Sequence, residues 1–119
     1  MTQVKVICKG NKIIGFEMLG HAGYNVGGPD ILCASLSAVS QLTINGIINW
    51  LHCSSEEIIK VDNPKEGHLK VIVPDDIFET LYKREVVQQF LIAFELYIKQ
   101  LSGVYGNYVK LERRQYNGN

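Results

Sequence analysis

Residues 4–20 read VKVICKGNKIIGFEMLG. Val4, Val6 and Cys8 alternate with Gln3 and Lys5, the period of a half-buried strand. Gly10-Asn11 then stands between Lys9 and Lys12, a two-residue hairpin turn signal. The return run, Ile13 to Leu19, is apolar on both faces and predicts a central strand. The chain therefore opens with a β-hairpin whose second strand needs a neighbour on its far side and a cover above it.

The cover follows. Gly20 ends the strand, His21 comes next, and Ala22 to Pro29 form a glycine-rich loop. A helix is expected from about Asp30, since Pro favours a helix start and Asp caps one. Leu32, Leu36, Val39, Thr43, Ile47 and Leu51 recur at steps of three and four, which predicts a core-facing stripe ending near Leu51 or His52. Glu57 to Val61 reads as a short strand, Asp62 to Gly67 as a turn around Asn63-Pro64, and Leu69 to Val73 as a strand stopped by Pro74. A second helix, in one or two pieces, is expected after Asp75-Asp76. Its stripe is Val87, Phe90, Leu91, Phe94, Ile98 and Leu101, with Gly103 as its C-terminal stop. A last strand over about Asn107 to Arg113 closes the chain.

The expected order is β-β-α-β-β-α-β. The simplest way to bury both stripes is an α+β two-layer sandwich: a mixed five-stranded sheet with two helices on one face. The 119 residues suit one domain, 1–119, large enough for a core without disulfides or metal.

Composition narrows the function. Twelve Lys and Arg balance twelve Asp and Glu, so the basic excess of an electrostatic nucleic-acid binder is missing. Lys110, Arg113 and Arg114 make only a small basic cluster, read as a solvated strand end. The first ten residues lack the apolar core and cleavage site of a signal peptide, and no apolar run of bilayer-spanning length is expected; Ile44 to Leu51 is the longest candidate. A cytoplasmic protein without a membrane partner is expected. Cys8, Cys33 and Cys53 are read as reduced thiols, and the spacing of Cys and His fits no zinc pattern, so neither metal nor cofactor is expected.

Cys33 falls in the first turn of the expected helix. Backbone N–H groups there lack intrahelical acceptors and the positive end of the helix dipole lies close, conditions that lower a thiol's pKa and favour the nucleophilic thiolate. The same end of a helix can hold a developing oxyanion. His21 stands at the end of a strand, twelve positions earlier, and imidazole is the usual base for a catalytic thiol. The stretch thus offers a nucleophile, a base and a loop. Each has a plainer reading: a buried small hydrophobe for Cys33, a loop residue for His21, and ordinary turn chemistry for Gly23, Gly27 and Gly28. Position alone leaves both readings open. Asp30 either caps the helix or orients His21, or does both. Ser37, one turn beyond Cys33 on the same face, bonds within the site or back to the Cys33 carbonyl. Tyr24 is the loop aromatic to test for substrate contact. Cys8, Cys53, His52, His68, Trp50, Phe90 and Phe94 are read as structural.

Gly20-His21-Ala22 followed by Asp30, Cys33, Ala34 and Ser37 closely resembles the two-part motif of the ribosomal-processing cysteine protease family, Prp (YsxB-like). The resemblance runs over nearly the whole chain. It implies a cytoplasmic, homodimeric cysteine endopeptidase. Such an enzyme removes the N-terminal extension of a large-subunit ribosomal protein, number twenty-seven, after an apolar, aromatic-containing stretch. It implies Cys33 as nucleophile and His21 as base, with Asp30 and Ser37 as further motif residues. The loop with Gly23, Tyr24, Gly27 and Gly28 is then expected to admit the peptide. Two alternatives remain: a non-catalytic ribosome-associated binding protein, and a cysteine hydrolase acting on another substrate.

Overall fold

The structure is a computed structural model and describes residues 1–21 and 31–117. The loop positions Gly23, Tyr24, Gly27 and Gly28, and the expected cap Asp30, lie outside the described residues. Strand β1 (Thr2–Lys9) and strand β2 (Lys12–Leu19) form the expected antiparallel hairpin, with Lys9 opposite Lys12. Helix α1 spans Ile31–Leu51. Strands β3 (Ile59–Asn63) and β4 (His68–Ile72) follow, then helix α2 (Leu81–Val104) and strand β5 (Val109–Gln115). The sheet order is β3-β4-β2-β1-β5, mixed because β5 runs parallel to β1 while every other pair is antiparallel.

β2 is the central strand, as its apolar faces require. Val4, Val6, Phe16, Met18 and Val71 share one core with the buried faces of α1 and α2. Ile7, Ile14 and Ile72 form a separate small cluster, which places both helices on one face of the sheet. At the centre, the Phe16 ring stacks on Phe94 of α2 with centroids 4.1 Å apart. Burying a ring of this size is worth roughly 1.5–3 kcal/mol. The β1–β2 register slips between Ile7 and Cys8, leaving Ile14 as an extra residue. Beside this bulge a Cβ on Gly15 would collide with the Val71 carbonyl, so β4 can close on β2 only at glycine. Ile13, beside the bulge, stands opposite Cys8 in the register, and Gln88 of α2 takes up both its N–H and its carbonyl.

Local chemistry moved several boundaries. The strand expected at Glu57 begins at Ile59. Ser54 to Glu57 instead form a capped single 3-10 turn, with the Ser54 N–H donating to Glu57 Oε2 at 2.8 Å. The approach to α2 does come in two pieces. A 3-10 turn at Asp75–Ile77 precedes the helix, whose cap is Thr80 accepting from the Lys83 N–H at 3.1 Å. Gly103 does not end α2; the helix passes through it to Val104, and Tyr105 caps it. α1 does end near His52, with a positive-φ residue just past its last turn. That residue is His52 itself (φ 55°), and the Cys53 N–H reaches back to the Ile48 carbonyl at 3.2 Å. On α1, Ser40 and Ile44 are buried alongside the expected stripe, and Val39 is only half-buried.

One expectation is corrected outright. α1 is long and apolar enough to cross a membrane by length and composition, with mean hydropathy 1.6. No charged residue interrupts 31–51. Its buried Leu32, Leu36, Ile44, Ile47 and Leu51 put that apolar content into the core facing the sheet.

Candidate active site

Cys33 lies in the first turn of α1, half-buried, and His21 stands two residues past the end of β2. These residues, far apart along the expected elements, line the same cavity of about 250 Å³. The cavity is a groove between α1 and the β3–β4 end of the sheet. Its helix wall is one face of α1: Cys33, Ser37 and Gln41 along the rim, with Leu36, Ser40 and Ile44 deeper. Its sheet wall combines apolar Met18, Ile59 and Leu69 with polar Thr2, Asp62 and His68. Ser40 is buried and satisfied, donating to the Leu36 carbonyl (2.7 Å) and contacting Met18 Sδ (2.9 Å).

Ser37 has a clear position. Ser35, Ser40 and Thr43 each donate to the carbonyl four residues back, at 3.1, 2.7 and 2.8 Å. Among the described residues Ser37 makes no such bond to Cys33, and it lines the groove. Asp62 lines the groove as well, making no ion pair among the described residues.

His21 is held from a direction the sequence reading missed. Its Nε2 lies 3.2 Å from the Lys65 carbonyl, in the β3–β4 turn, 44 residues away in the chain. Only the Asn63-Pro64 turn signal hinted at a tight loop there, and nothing in it pointed to His21.

The other two thiols differ from Cys33 in place and chemistry. Cys8 is buried in the core at 1% exposure, and that burial pushes its thiol pKa up. Burial also raises that of Cys53, with the Glu57 carboxylate adding to it. His68 opens β4 and sits 2.6 Å from Glu17 Oε2. The C-terminal basic cluster is largely neutralised: Arg113 makes two bonds to Glu95, at 2.7 and 2.8 Å, and Arg114 reaches Glu112 at 3.4 Å.

The chain matches the family model described as cysteine protease Prp over residues 1–110. Among solved structures, it is similar to SMU.848 from Streptococcus mutans, at 26% identity and a TM-score of 0.76 over 98% of this chain and 96% of that one. It is also similar in fold to the essential ribosomal processing protease Prp from S. aureus. That protein was solved with a covalently linked product peptide and with a substrate peptide; both matches have 23% identity and a TM-score of 0.72 over 96% of this chain and all of that one. No curated protein matches the chain. With the model matched over residues 1–110, a stretch that holds β1 to β4 and both helices, this chain belongs to the cysteine protease Prp family and is a cysteine protease.

Proposed function

We propose that the protein is a processing endopeptidase that removes the N-terminal extension of a large-subunit ribosomal protein, number twenty-seven, with Cys33 as nucleophile and His21 as its base. The observation that carries this reading is that Cys33 and His21, which come from different elements, line one groove with an apolar floor. The S. aureus protein of the same fold is a ribosomal processing protease, which supports the substrate class.

The chemistry is acyl transfer. His21 takes the thiol proton, and Cys33 Sγ attacks the scissile carbonyl carbon. The positive end of the α1 dipole faces the developing oxyanion. His21 then protonates the leaving amine as the C–N bond breaks, and a water deprotonated by His21 releases the acyl group from sulfur. The groove between Leu36, Ile44, Ile59 and Leu69 takes an apolar side chain of the peptide. Ser37 contributes a rim hydroxyl to the bound chain. The enzyme works in the cytoplasm as a homodimer, two parts of the proposal that rest on the family resemblance.

The test is incubation of the purified protein with a peptide spanning the extension junction, beside a Cys33→Ala control. Cleavage by the wild type alone supports the reading. An intact peptide in both overturns it. Light scattering after size exclusion reports the dimer.

A further inference from the structure

The β3–β4 turn grips the histidine of the groove. A carbonyl oxygen only accepts, so in the 3.2 Å contact with the Lys65 carbonyl it is His21 Nε2 that carries the proton. In a neutral imidazole the lone pair then sits on Nδ1. The turn supplying the carbonyl is itself tied down. The Gly67 N–H donates to the Pro64 carbonyl at 3.2 Å, and the Glu66 N–H to Asn63 Oδ1 at 3.4 Å. The N–H of Gly20, next to His21, donates to the Gly67 carbonyl at 2.9 Å. Gly67 has φ +64°, and a Cβ there would stand 2.6 Å from the Gly20 carbonyl oxygen and 3.2 Å from His21 Cε1. The imidazole therefore lies against a glycine that admits no side chain. Pro64 and Gly67 line the same groove as His21 and Cys33.

We propose that this turn is the positioning element for His21: the Lys65 main-chain carbonyl holds Nε2–H, and Nδ1 is thereby the nitrogen presented to Cys33. The proposal rests on the thiol-protease reading above and says which nitrogen works and what aims it. A backbone carbonyl takes the place that a carboxylate side chain occupies in a triad. In the reaction Nδ1 accepts the Sγ proton as the C–S bond forms, and Nε2–H stays on the carbonyl throughout. The Nδ1 proton then passes to the leaving nitrogen as the C–N bond breaks. Nδ1 next takes a proton from water, whose oxygen attacks the acyl carbon. The S–C bond breaks and that proton returns to sulfur. Lys65 acts through His21 and touches no reacting atom.

Two measurements test it. The first is NMR of the wild-type protein labelled with ¹⁵N-histidine. The proposal expects the neutral ring of His21 to carry its proton on Nε2 and a bare Nδ1; a proton on Nδ1 in the neutral ring overturns it. The second is Gly67→Ala, whose methyl pushes the turn off the ring. The expected result is kcat on the junction peptide lower by roughly 10- to 100-fold with KM within about twofold, together with a shift of the neutral ring toward the tautomer protonated at Nδ1. An unchanged kcat overturns the proposal. Should Gly67→Ala fail to fold, the wild-type spectrum decides alone. Absence of cleavage by the wild type overturns the protease reading and the turn's catalytic meaning with it. Cleavage by a wild type whose His21 carries the proton on Nδ1 overturns only the turn's role.

Discussion

Trp50 and Lys83 bond to each other twice across the corner where α1 ends and α2 begins. The indole Nε1 donates to the Lys83 carbonyl at 3.0 Å, and the Lys83 ammonium donates to the Trp50 carbonyl at 2.7 Å. The Trp50 carbonyl belongs to the last turn of α1, where the dipole is negative and carbonyls lack intrahelical donors. Lys83→Ala is expected to cost about 1–2 kcal/mol in urea denaturation. Trp50 is the single tryptophan, so the same substitution should red-shift its fluorescence in the native state. An unmoved midpoint would show that solvent caps α1 equally well.

Gln88 supplies a second contact between side chain and backbone. Its amide satisfies both backbone groups of Ile13 beside the β1–β2 bulge. Gln88→Leu takes that amide away from a partly buried N–H and carbonyl, and a loss of about 1–3 kcal/mol in stability is expected. Chemical denaturation reads it, and amide exchange at Ile13 should quicken. Equal stability would show that water enters the bulge and replaces the amide.

The three thiols should separate on alkylation. Burial raises the pKa of Cys8 and of Cys53, and Cys8 is in addition closed off in the core. Cys33 lies at a helix N-terminus on a groove wall. Limited iodoacetamide at pH 7, read by peptide mass spectrometry, should label Cys33 first by an order of magnitude or more. Faster labelling of Cys53 would count against the nucleophile assignment.

Acid should loosen two ion-paired corners. The Lys9 ammonium and the Arg84 guanidinium hold the Asp75 carboxyl below its usual range, bonding to it at 2.8 and 3.0 Å. Arg113 does the same to Glu95, and its own guanidinium is driven further up by that carboxylate. Both carboxyls have folded pKa values below their unfolded ones, so as pH falls the unfolded chain binds protons first. Their contribution is whole above the ordinary carboxylate range and is lost as pH drops through it and below. Arg113→Ala should remove part of this acid dependence and about 1 kcal/mol at neutral pH, a small figure because the guanidinium is largely exposed. Melting temperatures of the wild type and variant from pH 7 down to pH 3 should converge; parallel curves would exclude the pair as their source.

The legible parts of the fold are those governed by neighbours in the chain. The Gly10-Asn11 turn, the double apolar face of β2 and the spacing of Val87, Leu91, Phe94 and Ile98 each act over a few residues, and each stands where its pattern placed it. Patterns failed where a local hydrogen bond competed. Glu57 turns back to cap Ser54 instead of entering a strand, and Gly103 stays helical because the chain beyond it supplies no reason to stop sooner. The membrane-length apolar content of α1 is missed by counting unbroken apolar runs, because Gln41, Asn45 and Asn49 split the helix although none of them carries charge.

For the site, the sequence by itself determined the chemistry on offer: a thiol in the first turn of a helix, an imidazole at a strand end, and a motif that places the chain among the cysteine proteases. Only the tertiary structure decided what surrounds them. The apolar floor joins Met18 and Leu36 to Ile59 and Leu69, and the acceptor on His21 is a main-chain carbonyl in a turn 44 residues away. A carbonyl leaves no mark on residue identity, since every residue carries one. Which carbonyl meets the imidazole is set by the packing of the β3–β4 turn against Gly20, and only the folded chain brings those two segments together.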